Sequence, residues 1–143
     1  MHLTTKSRYA IIAMIDIAIN AKSEVPVSLS DISIRQNITL RYLEQIFSKL
    51  KKAHLVVATK GPGGGYQLSA NATDINLLAV IKAVEENLRI TKCVNRGLGC
   101  HTKGVKCMTH YLWNGLENRI TEYFQAISIY DICKNNILRL EHA

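Results

Sequence analysis

Residues 59–69 read TKGPGGGYQLS, and no other stretch limits the possible folds as tightly. Gly61, Pro62, Gly63, Gly64 and Gly65 cannot continue a helix, because glycine loses the most backbone freedom there and proline removes an amide donor. The run is flanked by the short β-branched stretch Leu55–Ala58 and by a second strand-like stretch beginning at Tyr66. It therefore predicts the tip of a β-hairpin. The glycines alone would also suit a nucleotide-phosphate loop. That mechanism fails here, since no Lys-Ser/Thr pair follows and the next element is a strand, not a helix.

What precedes the hairpin is helical. LRYLEQIFSKLKKA repeats Leu40, Leu43, Ile46, Phe47 and Leu50 at steps of three and four, and its opposite face carries Arg41, Glu44, Gln45, Lys49 and Lys52. Thr39 is the expected cap. Ser28 followed by Asp31 opens a shorter helix over about Leu29 to Arg35, and Gln36-Asn37-Ile38 makes a tight turn between the two. A first helix, capped by Thr4 or Thr5 and continuing to about Asn20, supplies mainly core. After the hairpin, Asp74 is expected to cap INLLAVIKAVEEN. A long amphipathic helix from about Met108 to Ile127 carries Tyr111, Leu112, Leu116, Ile120, Tyr123, Phe124 and Ile127, and Ser128 with Asp131 caps a last short helix holding Cys133. The expected fold is mainly α with one small β-hairpin wing, organised as a single domain. Residues 1–86 form a winged helix-turn-helix part, 87–107 a cysteine-bearing loop, and 108–143 the long helix and the C-terminal helix.

Two helices on a short turn, followed by a hairpin with a glycine-rich tip, is the order in which a winged helix-turn-helix meets duplex DNA. The second helix enters the major groove and the wing touches backbone or minor groove. Arg41, Tyr42, Glu44 and Gln45 begin that helix: arginine suits guanine, glutamine suits adenine, and glutamate accepts from cytosine. Thr39 and the amides beside it suit a phosphate. In the wing, Lys60 brings charge, Gly61 and Gly63 permit close backbone approach, and Pro62 stiffens the turn. The net charge of +7 is concentrated in this half, where nine Lys/Arg face four acids through Ala70. A polyanion partner explains that bias. A merely solvated basic face would explain the charge but not its combination with this order of elements.

The second feature is TKCVNRGLGCHTKGVKCMTH, residues 91–110. Six residues separate Cys93 from Cys100, six more separate Cys100 from Cys107, and two separate Cys107 from His110. Three thiols and an imidazole complete a four-ligand set for zinc or for an iron–sulfur cluster. The wide spacings suit an object larger than one ion, and Lys92, Arg96, Lys103 and Lys106 would offset its negative charge. The N-terminal apolar stretch is interrupted by Asp16 and falls short of the roughly 20 residues that span a bilayer, so a soluble cytoplasmic protein with reduced thiols is expected. His101 is expected to face solvent and Cys133 to sit in the core. A thiol enzyme would need one activated cysteine with a partnered base, and nothing singles one out, so no catalytic residue is assigned.

LTTKSRYAIIAMIDIA, SDISIRQNITLRYLEQIFSKLKKAHLV, KGPGGGYQLS, VIKAVEEN and KCMTHYLW occur in that order over nearly the whole chain. Together they resemble the Rrf-two family of bacterial transcription regulators, and within it the branch that senses iron–sulfur clusters. The resemblance implies a homodimer whose long helices cross, with Leu112, Leu116, Ile120, Tyr123, Phe124 and Ile127 as dimer interface. It implies a 2Fe–2S cluster on Cys93, Cys100, Cys107 and His110, with a 4Fe–4S cluster or zinc as alternatives. It further implies repression or activation at pseudo-palindromic operators in double-stranded DNA, control of cluster-assembly genes, and no membrane or small-molecule substrate. The family's DNA contacts map onto Arg41, Tyr42, Glu44, Gln45, Lys60, Gly61 and Pro62, and Glu44 matches its selectivity residue. Arg41 stands where a small serine is common, Lys60 where arginine is usual, and each cysteine gap is one residue longer than in the family's cluster pattern. A nitric-oxide-sensing regulator of the same family and a zinc-stabilised interaction module without DNA binding are the competing expectations.

Overall fold

The computed structural model describes residues 3–21, 25–85, 88–91, 100 and 104–135. Its elements run α1 (Thr5–Asn20), α2 (Leu29–Gln36), α3 (Leu40–Lys52), β1 (Val56–Thr59), β2 (Gly65–Leu68), α4 (Leu77–Val84), α5 (His110–Ala126) and α6 (Ile129–Cys133). Helix α1 is the central post, packed against α2, α3, α4, α6 and β2. Its buried face carries the small residues Ala10 and Ala13, which admit close approach, followed by the larger Met14 and Ile17. Thr4 supplies its cap, accepting the Ser7 amide at 3.3 Å.

Ser28 caps α2 by accepting the Asp31 amide at 3.1 Å. The helix runs one residue beyond expectation, to Gln36, because Asn37 takes the left-handed conformation (φ 52°) that stops it. Ile38 then turns into the core and its carbonyl accepts the Ser33 hydroxyl at 2.6 Å, which pins the turn. Thr39 sits at the cap position of α3 without a side-chain capping bond. Its carbonyl instead accepts the amides of Tyr42 and Leu43, both at 3.1 Å. Leu43, Ile46, Phe47 and Leu50 are buried as their spacing predicts, whereas Leu40 remains 41% exposed.

In the hairpin, Val56 pairs with Leu68 and Thr59 with Gly65, leaving Lys60–Gly64 as the tip. Gly61 and Gly63 hold positive φ of 94° and 74°. Gly65 serves a different purpose: a β-carbon there would lie 2.3 Å from the Val27 carbonyl oxygen. Val27 and Tyr66 exchange two backbone bonds of 2.9 and 2.8 Å across this contact, tying the wing to the chain before α2.

The expected cap of α4 is corrected. Asn76, not Asp74, accepts the Ala79 amide at 2.9 Å, and Asp74 stays exposed in the preceding turn. Helix α5 begins at His110 and buries none of its residues. Just past its end the chain returns to the core, where Ile127 is 1% exposed, its carbonyl accepts the Leu77 amide and the Ile129 amide reaches the Ile75 carbonyl, each at 2.9 Å. Helix α6 opens on a complete capping box between Ser128 and Asp131. Among the described residues, no helix is long and apolar enough to cross a membrane.

Candidate nucleic-acid interface and metal centre

Arg41, Glu44 and Gln45 lie on one face of α3, three and four positions apart, and all three are exposed. None makes an ion pair among the described residues. Tyr42 is different: half-buried, it meets the Tyr9 ring edge-on at 5.6 Å and so packs α3 against α1. Thr39 is exposed beside the start of the helix, and Lys60, Gly61, Pro62 and Gly63 are all exposed at the wing tip. Lys49, Lys51 and Lys52 extend the positive charge along the last turn of α3.

This face is held in place by a buried carboxylate that sequence reasoning treated only as a break in an apolar run. Asp16 in α1 receives Arg35 Nη2 at 2.6 Å, Arg35 Nε at 3.0 Å and Gln36 Nε2 at 2.7 Å. Burial alone would raise the Asp16 carboxyl, but the hydrogen bonds from Arg35 and Gln36 and the charge of Arg35 outweigh it, leaving the group below the ordinary carboxylate range. The two donors are the last residues of α2, so the bond set orients the turn into α3. An acid on the buried side of an otherwise apolar helix was the signal available in the sequence.

The cysteine-bearing segment enters α5. Gly104 has φ 74°, and the Cys100 amide reaches the Val105 carbonyl at 3.1 Å, folding the chain back on itself. The Cys100 sulfur thereby lies 3.2 Å from His110 Nδ1. Two ligands of one tetrahedral metal, bound at about 2.3 Å through sulfur and about 2.0 Å through nitrogen, stand roughly 3.5 Å apart, so this donor pair fits a metal. The His110 amide bonds to the Cys107 carbonyl at 3.1 Å, placing Cys107 at the mouth of α5, but its sulfur is turned toward the Thr109 hydroxyl at 3.6 Å. Among the described residues no three metal-type donors converge, and Cys93 lies outside them. Lys106 adds positive charge here, with Nζ 3.3 Å from the Tyr111 hydroxyl and 4.9 Å from the ring centre.

Along α5, Leu112, Leu116 and Tyr123 are exposed by 62%, 42% and 46%, while Ile120 and Phe124 are half-buried. Ile127 does not belong with them. It is spent in the chain's own core, because α5 has ended and the backbone has turned inward.

A family model described as Rrf2, iron-dependent transcriptional regulator, matches residues 3–135. The HTH-type transcriptional regulator IscR of Vibrio vulnificus is 48% identical over 136 residues, 95% of this chain and 79% of the relative. An HTH-type transcriptional regulator of Haemophilus influenzae is 48% identical across 99% of this chain and 93% of its own length. Among solved structures, T. potens IscR superposes with a TM-score of 0.76 at 30% identity, covering 95% of this chain and 88% of that one. CymR, the global cysteine regulator of B. subtilis, superposes with a TM-score of 0.79 at 25% identity, covering 94% and 98%. These relatives are regulators, not enzymes.

Proposed function

This chain belongs to the Rrf2 family of transcriptional regulators, and on that premise we propose that it binds promoter DNA as a homodimer, holds an iron–sulfur cluster and controls cluster-assembly genes. The observation that carries the proposal is the presence, in one chain, of an exposed Arg41–Glu44–Gln45 face and a thiol–imidazole pair 3.2 Å apart at the head of the longest helix. Cys93, Cys100, Cys107 and His110 are the residues that would hold a 2Fe–2S cluster. When bound, the cluster supplies an inorganic core that only deprotonated thiols and a neutral imidazole can grip.

The chain's own residues do the rest. Arg41 offers two donors to a guanine edge, Gln45 donates to and accepts from an adenine edge, and Glu44 penalises sites that present only acceptors to it. Thr39 and Lys60 take phosphates and set the register without reading sequence. Leu112, Leu116 and Tyr123, with Ile120 and Phe124 at their edge, bury against the same face of a second copy. Two reading helices related by that two-fold axis require half-sites about one or two helical turns apart.

The deciding experiment is anaerobic purification with iron, sulfide and zinc counted beside the visible spectrum, in the wild type and in Cys100→Ala. Loss of the visible absorption in the variant supports the ligand assignment; full absorption removes Cys100 from the set. The Cys100–His110 pair suits a single zinc ion equally well. A colourless, zinc-replete protein would move the conclusion to a zinc-stabilised module.

A further inference from the structure

Val84 is the last residue of α4 and Glu85 the first beyond it, and two distant parts of the DNA-reading unit converge on them. The hydroxyls of Thr4 and Ser7, in the cap and first turn of α1, both donate to Glu85 Oε1. Lys49 Nζ, in the last turn of α3, donates to the Val84 carbonyl at 3.2 Å. Val84 is 1% exposed and seated in the core, while Glu85 has left the helix with an extended backbone (φ −115°, ψ 133°). The chain thus changes at this residue from packed helix to connecting segment. Two grooves of about 730 and 610 Å³ flank the junction, and both have Lys49, Val84 and Glu85 in their walls. Open space on both sides leaves room for the Glu85 carboxylate to change partners.

Both ends of α3 are reached from this point. Its C-terminal end is held directly through Lys49. Its N-terminal end is held through α1, since Tyr9, two residues after Ser7, packs its ring on Tyr42 at 5.6 Å. Tyr42 also lines the smaller groove with Thr4, Lys49 and Glu85.

We infer that Glu85 is a positioning residue, the joint through which occupancy of the proposed metal site alters the seating of α3 on DNA. The inference rests on the sensor function proposed above and gives that coupling a place in the fold. Among the described residues, the side-chain hydrogen bonds of Glu85 go to Thr4 and Ser7, and it acts through them. A merely structural role, an acid near the positive end of α1, would lower the melting temperature of a Glu85 variant and leave coupling intact.

The test measures affinity for a duplex selected from a random library by the wild-type protein, using metal-free protein and protein loaded anaerobically with iron and sulfide. Coupling between two sites is ordinarily worth about 5- to 150-fold in affinity. Glu85→Ala is expected to retain the loaded protein's visible absorption and bring the ratio of the two affinities to near one. Glu85→Gln keeps an oxygen that accepts both hydroxyls and should preserve the ratio. Ser7→Ala attacks the same joint from α1, leaves no orphan donor at a fully buried position, and should shrink the ratio even if Glu85→Ala folds poorly. Amide exchange in the first turn of α1 should differ between loaded and metal-free wild type and not in Glu85→Ala. Retention of the wild-type ratio in Glu85→Ala or, where that variant does not fold, in Ser7→Ala overturns the inference alone. A ratio of one in the loaded wild type overturns it together with the sensor function.

Discussion

Glu44 and Asp16 are both acids in helices of the reading unit, and their surroundings give them opposite duties. Glu44 is exposed among groups that point outward, and under the proposed function its effect would be on the choice of site. Glu44→Ala should broaden the operators bound by metal-free protein, and an unchanged profile across a site library would argue against selectivity by this residue. Arg41→Ala should cost about 1–3 kcal/mol at one guanine position, read as relaxed preference there. Asp16 has a fully buried side chain and a depressed carboxyl. A group whose folded pKa lies below its unfolded value stabilises fully above the unfolded value and loses that contribution as pH falls through the folded one. Stability should therefore begin to drop below about pH 4. Asp16→Asn should lose roughly 1–3 kcal/mol at neutral pH by removing charged hydrogen bonds, and its urea midpoint should fall less steeply in acid.

Among the elements, the wing and α6 are placed by backbone bonds as well as by buried side chains, Val56 in the wing and Ile129 in α6. The wing is fixed by the Val27–Tyr66 exchange, which exists only because Gly65 has no β-carbon. Gly65→Ala should destabilise the fold by about 1–3 kcal/mol and weaken DNA binding further by unseating Lys60 and its glycine tip. A gel-shift series beside a denaturation curve separates the two effects. Helix α3, by contrast, needs no such device. Its four buried residues at helical spacing dock it against α1 and the hairpin, and Phe47 meets the Tyr66 ring at 4.7 Å.

For the molecule as a whole, α5 is the unbalanced element: 17 residues of helix with no buried side chain, and Leu112, Leu116 and Tyr123 facing outward. Those outward apolar side chains gain nothing from the chain's own core. Burial against a second copy would supply what its own chain does not. Leu112→Asp with Leu116→Asp should shift sedimentation from dimer to monomer and abolish cooperative operator binding while leaving the core intact. Binding should also weaken steeply with salt, with log affinity falling by about 0.9 per neutralised phosphate against log salt. Lys60→Ala should reduce that slope by about one such step.

Much of this was legible in the chain because it depended on neighbours in sequence. The stripe of α3, the Ser28 and Ser128 caps and the glycine-rich tip are local, and local steric and hydrogen-bonding rules decide them. What escaped local rules required contacts between distant residues. Asn76 displaced Asp74 as the cap of α4 because the strand-like pairing of residue 76 with residue 128 sets where that helix begins. Ile127 left the surface stripe because the backbone bonds of Leu77 and Ile75 draw the chain inward. Asp16 became a clamp only where the end of α2 brought Arg35 and Gln36 to it, and Glu85 met Thr4 and Ser7 across most of the chain's length. The amino-acid order alone settled which segments are helix, strand or turn, since steric preference and hydrogen-bond geometry act within a few residues. Which polar groups are buried together was decided by the tertiary structure, because a buried charge is stable only where folding delivers its partners.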